Sequence, residues 1–101
     1  MECESPLHLA ASNGSHDMVS FLVRAGAAVD AVDENACTAL MFAAINNPPH
    51  AANELLVNGA DYTCQNINGD RAYNLAVKYG SRACQTVLEN NILAALGQPR
   101  L

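Results

Sequence analysis

Ser5-Pro6-Leu7-His8-Leu9-Ala10-Ala11 is the stretch on which the reading of this chain turns. Ser5 is a good helix N-cap, because its hydroxyl can accept from the first helical turn, and Pro6 suits the first helical position because it has no N–H to leave unbonded. A short helix is therefore expected to run to about Ser12. Gly14 permits a reversal, Ser15 is placed to cap a second helix, and Met18, Val19, Leu22 and Val23 share the i, i+1, i+4, i+5 spacing of one buried face. Gly26 should end that helix in a left-handed conformation. Ala27 to Ala36 is then expected to leave the helices as an extended loop or hairpin carrying Asp30, Asp33 and Glu34.

The pattern returns every 33 residues. Stepping by that interval, Ser5 lands on Thr38 and Arg71, Leu9 on Phe42 and Leu75, Ala10 on Ala43 and Ala76, and Leu22 on Leu55 and Leu88. Gly26-Ala27 recurs as Gly59-Ala60. Matches at one period, with apolar character kept where identity is lost, are the mark of a stacked repeat array.

A 33-residue unit opening with T-P-L-H-x-A resembles the ankyrin repeat, a β-turn followed by two antiparallel helices. Ser5-Pro6-Leu7-His8-Leu9-Ala10 matches it almost completely. Thr38-Ala39-Leu40-Met41-Phe42-Ala43 is a looser copy, and Arg71-Ala72-Tyr73-Asn74-Leu75-Ala76 keeps little beyond the Leu and Ala. The resemblance covers essentially the whole chain as units 1–33, 34–66 and 67–99. It implies an all-α repeat solenoid of helix-turn-helix units joined by β-hairpin loops, and gives His8 the role of a structural brace between a helix and the next hairpin.

Two units depart from the pattern. In the second, Asn47-Pro48-Pro49-His50 replaces the glycine-led turn, either proline can open a helix, and Ala51 and Ala52 stand where Met18 and Val19 stood, so the weakest packing is expected there. In the third, Arg71 cannot cap as Ser5 does, whereas Asp70 could, which would shift the helix start by one residue. Past Ser81, Val87, Leu88, Ile92, Leu93 and Leu96 keep helical spacing toward Gly97 and Pro99, so the last helix should be extended. Its Arg82, Gln85, Glu89 and Asn90 would make it a polar C-terminal cap, as a repeat array requires. The first unit has no comparable polar substitution, so further repeats or another domain are expected before Met1.

Composition fits a helical stack. Half of the 101 residues are hydrophobic, 18 of them are alanine, and there are only five aromatics and no Trp, which favours helices packed at close range. No uncharged apolar run reaches the roughly 18 residues a membrane span needs, and the acidic start is unlike a signal peptide, so an intracellular, cytoplasmic setting is expected, with the nucleus left open. Cys3, Cys37, Cys64 and Cys84 form no C-x-x-C pair and read as ordinary thiols. The net charge of −5 is unevenly spread: residues 1–70 carry nine acids against Arg24 alone. That balance argues against phosphate or nucleic-acid binding and toward a protein partner with a basic surface.

Catalytic and cofactor signals are weak. Ser15-His16-Asp17 has the residue types of a hydrolase triad, but consecutive helical residues point about 100° apart and cannot form the relay. Asn13-Gly14-Ser15 matches a glycosylation acceptor that would matter only in a secreted protein. Neither phosphate-loop nor dinucleotide fingerprint is present, and the scattered histidines suggest no metal, so no cofactor is expected.

The ankyrin resemblance instead implies a non-catalytic contact surface along hairpin tips and the exposed side of the first helices. Carried onto this chain, the turn positions are Glu34, Asn35 and Cys37, then Ile67, Asn68 and Asp70; the helix positions are Ser12 and Asn13, Ile45 and Asn46, and Lys78 and Tyr79. Tyr79 and Ile45 are the expected anchors, since buried aromatic and aliphatic contacts outweigh rim charges. Asp33, Glu34 and Asp70 would form an acidic fringe. As an isolated module the chain is expected to be monomeric; the alternative is a scaffold segment of a larger signalling, channel or enzyme polypeptide, packed on neighbouring repeats.

Overall fold

The computed structural model describes residues 5–97. Six helices follow one another: α1 (Pro6–Asn13), α2 (His16–Arg24), α3 (Ala39–Asn46), α4 (Pro49–Val57), α5 (Ala72–Lys78) and α6 (Arg82–Ala95). They stack as three antiparallel pairs in two layers. α1, α3 and α5 touch in succession, as do α2, α4 and α6, while α1 never reaches α5 and α2 never reaches α6. Each pair is thus held only by its neighbours, the architecture of a helical-repeat solenoid. Among the described residues the connections contain turns and no β-strand, so the expected hairpins are turn-tipped loops without a ladder.

The first helix starts as the sequence dictates. The Ser5 hydroxyl accepts from the His8 N–H at 3.3 Å, the His8 Nδ1 accepts from the Ser5 N–H at 3.2 Å, and Pro6 occupies the first turn. Thr38 caps α3 alike, accepting from the Met41 N–H at 3.2 Å. Arg71 stands at the same place before α5, with backbone angles of −92° and 170° against −83° and 166° at Ser5. The expected one-residue shift to Asp70 does not occur: Asn74 Oδ1 accepts from the Arg71 N–H at 2.9 Å, and the Asp70 carboxylate turns away to Lys78. The backbone there is already cap-shaped and lacks only an acceptor. Arg71→Ser should therefore stabilise the fold by about 1 kcal/mol, read as a higher denaturant midpoint.

Helix ends are closed by left-handed residues. After α2, Gly26 at φ 104° lets its N–H donate to Val23 O and that of Ala27 to Leu22 O, and Gly59 repeats the arrangement after α4. Asn47 takes the left-handed position after α3 at φ 63°, which asparagine tolerates better than most residues. Pro48 then serves as N-cap and Pro49 opens α4. At Ser15 the position is that of a cap, but its side chain makes no capping bond.

The core is built from small residues. Ala11, Ala39, Ala43, Ala51, Ala52 and Ala76 are fully buried beside Val19, Leu40, Met41, Leu55, Cys84 and Leu88. The weak packing expected at Ala51 and Ala52 is not seen, because alanines let α4 lie close against α2 and α6. Met18, expected in the buried face of α2, is exposed instead. Val19, Leu22 and Val23 of the same stripe do pack on the core. α6 is the long final helix anticipated, with 14 residues against nine in α2 and α4, and Gly97 at φ 75° follows it. Pro99 and Cys3 lie outside the described residues.

Cys84 shows how tightly the layers close. Its thiol donates to Ala43 O at 3.5 Å, and burial pushes its pKa from the ordinary 9.0 to about 11. A thiol raised in the folded state contributes stability that is intact below the unfolded pKa and is lost as pH climbs through the folded one. We therefore expect stability to fall between about pH 9 and pH 11, and a Cys84→Ala chain, followed by chemical denaturation across that range, to show a smaller alkaline loss.

Candidate interaction surface

Two turns at period 33 carry the first part of the surface. At the tip of residues 33–37, Asp33 Oδ1 accepts from the N–H groups of Asn35 and Cys37, each at 2.9 Å, while the Asp33 N–H donates to Cys37 O at 3.0 Å. At residues 66–70, Asn66 Oδ1 accepts from Asn68 at 2.9 Å and Asp70 at 3.0 Å, and the Asn66 N–H donates to Asp70 O at 2.9 Å. The two turns are chemical copies. Ala36 replaces the glycine found at Gly69, yet holds the same left-handed backbone, φ 62° against 82°. The side-chain anchor of Asp33 and Asn66 keeps the turn in shape despite the strain of an alanine there.

The turns are also fastened to each other and to the helices. The Ile67 N–H donates to Asn35 O at 3.0 Å, so one tip leans on the next. His8 ties the first turn down. Because Nδ1 accepts from the Ser5 N–H, the neutral ring carries its proton on Nε2, which donates to Cys37 O at 3.0 Å. This is the brace expected of His8. Lys78 Nζ reaches Asp70 at 3.1 Å, joining the second turn to the C-terminal end of α5.

Against this frame the twelve sequence-selected positions fall into two groups. Asn13, Glu34, Asn35, Asn46, Ile67, Asn68, Lys78 and Tyr79 are exposed; Ser12, Cys37, Ile45 and Asp70 are half-buried. Ser12 and Asn46 are linked across the first two pairs, Asn46 Nδ2 donating to Ser12 Oγ at 2.9 Å. Cys37 is committed to the frame: its carbonyl holds His8, and its thiol, lifted by burial and by the nearby Asp33 charge, lies 3.9 Å from Asn66 Nδ2. Ile45 packs against the core and offers less free surface than an anchor would. Tyr79, 57% exposed, and Ile67, 66% exposed, are the large side chains that stand clear.

The acidic fringe is thinner than its residue count. Asp33 spends its carboxylate on backbone amides, Asp70 is paired with Lys78, and Asp30 Oδ1 accepts from the Asp61 N–H at 2.9 Å. Glu34 is the exposed acid at the first tip. Sequence reasoning missed the turn-building roles of Asp33 and Asn66, and that of Asn47, whose Oδ1 accepts from the Cys84 N–H at 3.2 Å. A usable signal existed for the first two: an Asp and an Asn exactly one period apart, each three residues before a turn-ending Ala or Gly.

Elsewhere, His16 Nδ1 lies 3.3 Å from Asp17 Oδ1, closer than the sequence reading allowed, but both are exposed and no bond joins Ser15 to the ring. Among the described residues no cluster of three or more His, Cys, Asp or Glu could hold a metal. A hollow of about 320 Å³ lined by Tyr73, Glu89, Ile92 and Leu93 includes none of the twelve positions. No helix among the described residues is long and apolar enough to cross a membrane.

Helix pairs at a 33-residue period, with capped first helices and braced turns, define a repeat-stack protein whose class is settled by comparison with known sequences. The family model described as ankyrin repeats (3 copies) matches residues 2–66, and the chain belongs to the ankyrin-repeat family. Among solved structures, the crystal structure of the human ASB11 ankyrin repeat domain superposes with a TM-score of 0.81 at 32% sequence identity, covering 87% of this chain. The chain spans 40% of that domain's length. Ankyrin repeats are in general modules of protein–protein interaction.

Proposed function

We propose that this chain is a non-catalytic module that grips a protein partner along its turn tips and the exposed ends of α1, α3 and α5. One observation carries the reading. At equivalent places the two turns and the hydroxyl caps of α1 and α3 repeat the same bonds, while exposed residues beside them change: Asn46 gives way to Tyr79, and Glu34 to Ile67. Rigid repeats with dissimilar outward side chains suit recognition of one particular surface.

Energetically the centre of that surface falls on Tyr79 and Ile67, which have apolar area to bury, with Glu34 as a rim charge drawing in a basic partner. The reading is tested on a partner captured from cell extract. Tyr79→Ala should weaken its binding by about 2 kcal/mol with helical content unchanged. Glu34→Lys should slow association at low salt and lose its effect at high salt, and Asp70→Lys should do the same, because it turns the Asp70–Lys78 pair into two adjacent cations. Equal affinity and equal association rates for wild type and all three variants would remove the surface from consideration.

A further inference from the structure

His16 and His50 lie far apart in sequence, and the stacking of α2 on α4 brings them side by side. His16 opens α2 and His50 lies in the first turn of α4. Both are exposed, with ring centres 5.9 Å apart and ring planes tilted by 56°. The pair is no part of the repeated frame: one period on, His16 gives way to Pro49, and one period back, His50 gives way to Asp17. None of the caps and turns described above uses either ring.

Imidazole nitrogens bind zinc-class ions at about 2.0–2.1 Å, which puts the centres of two rings that share one ion roughly 5 to 6 Å apart. The separation of His16 and His50 falls in that range, and the rings are not stacked face to face. Small χ rotations of two exposed side chains then suffice to aim one nitrogen of each at the space between them. At His16 a neighbour selects the nitrogen. Asp17 Oδ1 lies 3.3 Å from His16 Nδ1, so the neutral ring is favoured with its proton on Nδ1, toward that charge, and its lone pair on Nε2. A carboxylate behind the ring is the usual outer partner of a metal-bound imidazole. The positive ends of α2 and α4 oppose a cation here, and Asp17 in the first turn of α2 offsets them. The thiols compete poorly, because burial raises the pKa of Cys37, Cys64 and Cys84 and leaves little thiolate at neutral pH.

We propose that His16 and His50 form a two-imidazole site for a divalent transition-metal ion of the zinc class, with water in its remaining positions, clipping α2 to α4 across the first joint of the stack. Imidazole suits Zn²⁺, Ni²⁺ and Cu²⁺, whereas Mg²⁺ and Ca²⁺ take oxygen ligands. With no third protein ligand among the described residues, the ion is held less tightly than in a four-ligand structural site and exchanges with solution. The site uses none of the residues of the proposed contact surface, and the inference does not depend on that reading.

The test is a Zn²⁺ titration of the folded full chain, followed through the histidine ring resonances by NMR. The His16 and His50 signals should move together and saturate at one Zn²⁺ concentration while the buried His8 stays still, and Mg²⁺ at the same concentration should move neither. His16→Gln and His50→Gln, both at exposed positions, should keep the parent's helical content. Each should raise the Zn²⁺ concentration that moves the remaining ring by about tenfold or more. Rings that respond at different concentrations would overturn the proposal, as would a variant whose remaining histidine responds as in the parent. Zn²⁺ uptake that moves neither ring, or no uptake at all, would overturn it equally.

Discussion

His8→Ala should lower the stability of the fold by about 3 kcal/mol, roughly three times what an average hydrogen bond contributes. The ring is almost completely buried and works at both ends: Nε2–H donates to Cys37 O, and Nδ1 accepts from the Ser5 N–H and lies 2.7 Å from the Ser5 hydroxyl. Alanine would leave the Cys37 carbonyl and the Ser5 N–H without partners and would open a void beside Phe42. Urea denaturation gives the size of the loss. Amide exchange gives its place: protection should fall first in residues 33–37, which His8 pins, before it falls in α5 and α6. A loss under about 1 kcal/mol would mean that water replaces the ring without penalty.

Leu55→Ala should be at least as damaging, at about 3 to 5 kcal/mol. Leu55 is fully buried in α4, the helix that touches both α2 and α6, so a cavity there weakens both joints of the second layer. Chains of this length are stabilised by only about 5 to 15 kcal/mol in total, so the variant should sit near the edge of folding at room temperature. Val57→Ala, two residues on but exposed, should change stability by no more than about 0.5 kcal/mol. Similar midpoints for the two variants would contradict the stacked arrangement.

The frame was readable in the sequence because its determinants are local or periodic. Ser5, Pro6, Gly14 and Gly26 each fix backbone through the residue's own chemistry, and the 33-residue interval between Leu22, Leu55 and Leu88 fixes which faces meet. What escaped reading depends on neighbours in space. Asp70 is as good an N-cap as Thr38 by type, yet Lys78, eight residues on, draws its carboxylate away. Met18 and Leu22 share a helical stripe, but only the position of α2 at the end of the stack exposes the first. Ala51 and Ala52 read as poor packing until the closeness of α4 to its neighbours shows why small side chains are needed.

The exposure of the proposed contact positions was legible only in part. Period and family resemblance pick out places most of which are exposed, but not that Cys37 and Asp70 are already engaged, nor that Ile45 is turned partly into the core. Those are statements about partners some 30 residues away or on the next helix. What remains free is a short set: Glu34, Ile67 and Tyr79, beside Asn13 and Asn68.

Hydrogen-exchange footprinting of the chain with and without its captured protein partner tests the central claim most directly. Added protection should appear at residues 34–37 and 67–70 and at the ends of α1, α3 and α5, with α2, α4 and α6 unchanged. Protection confined to α2, α4 and α6 would place the partner on the opposite layer and contradict the account.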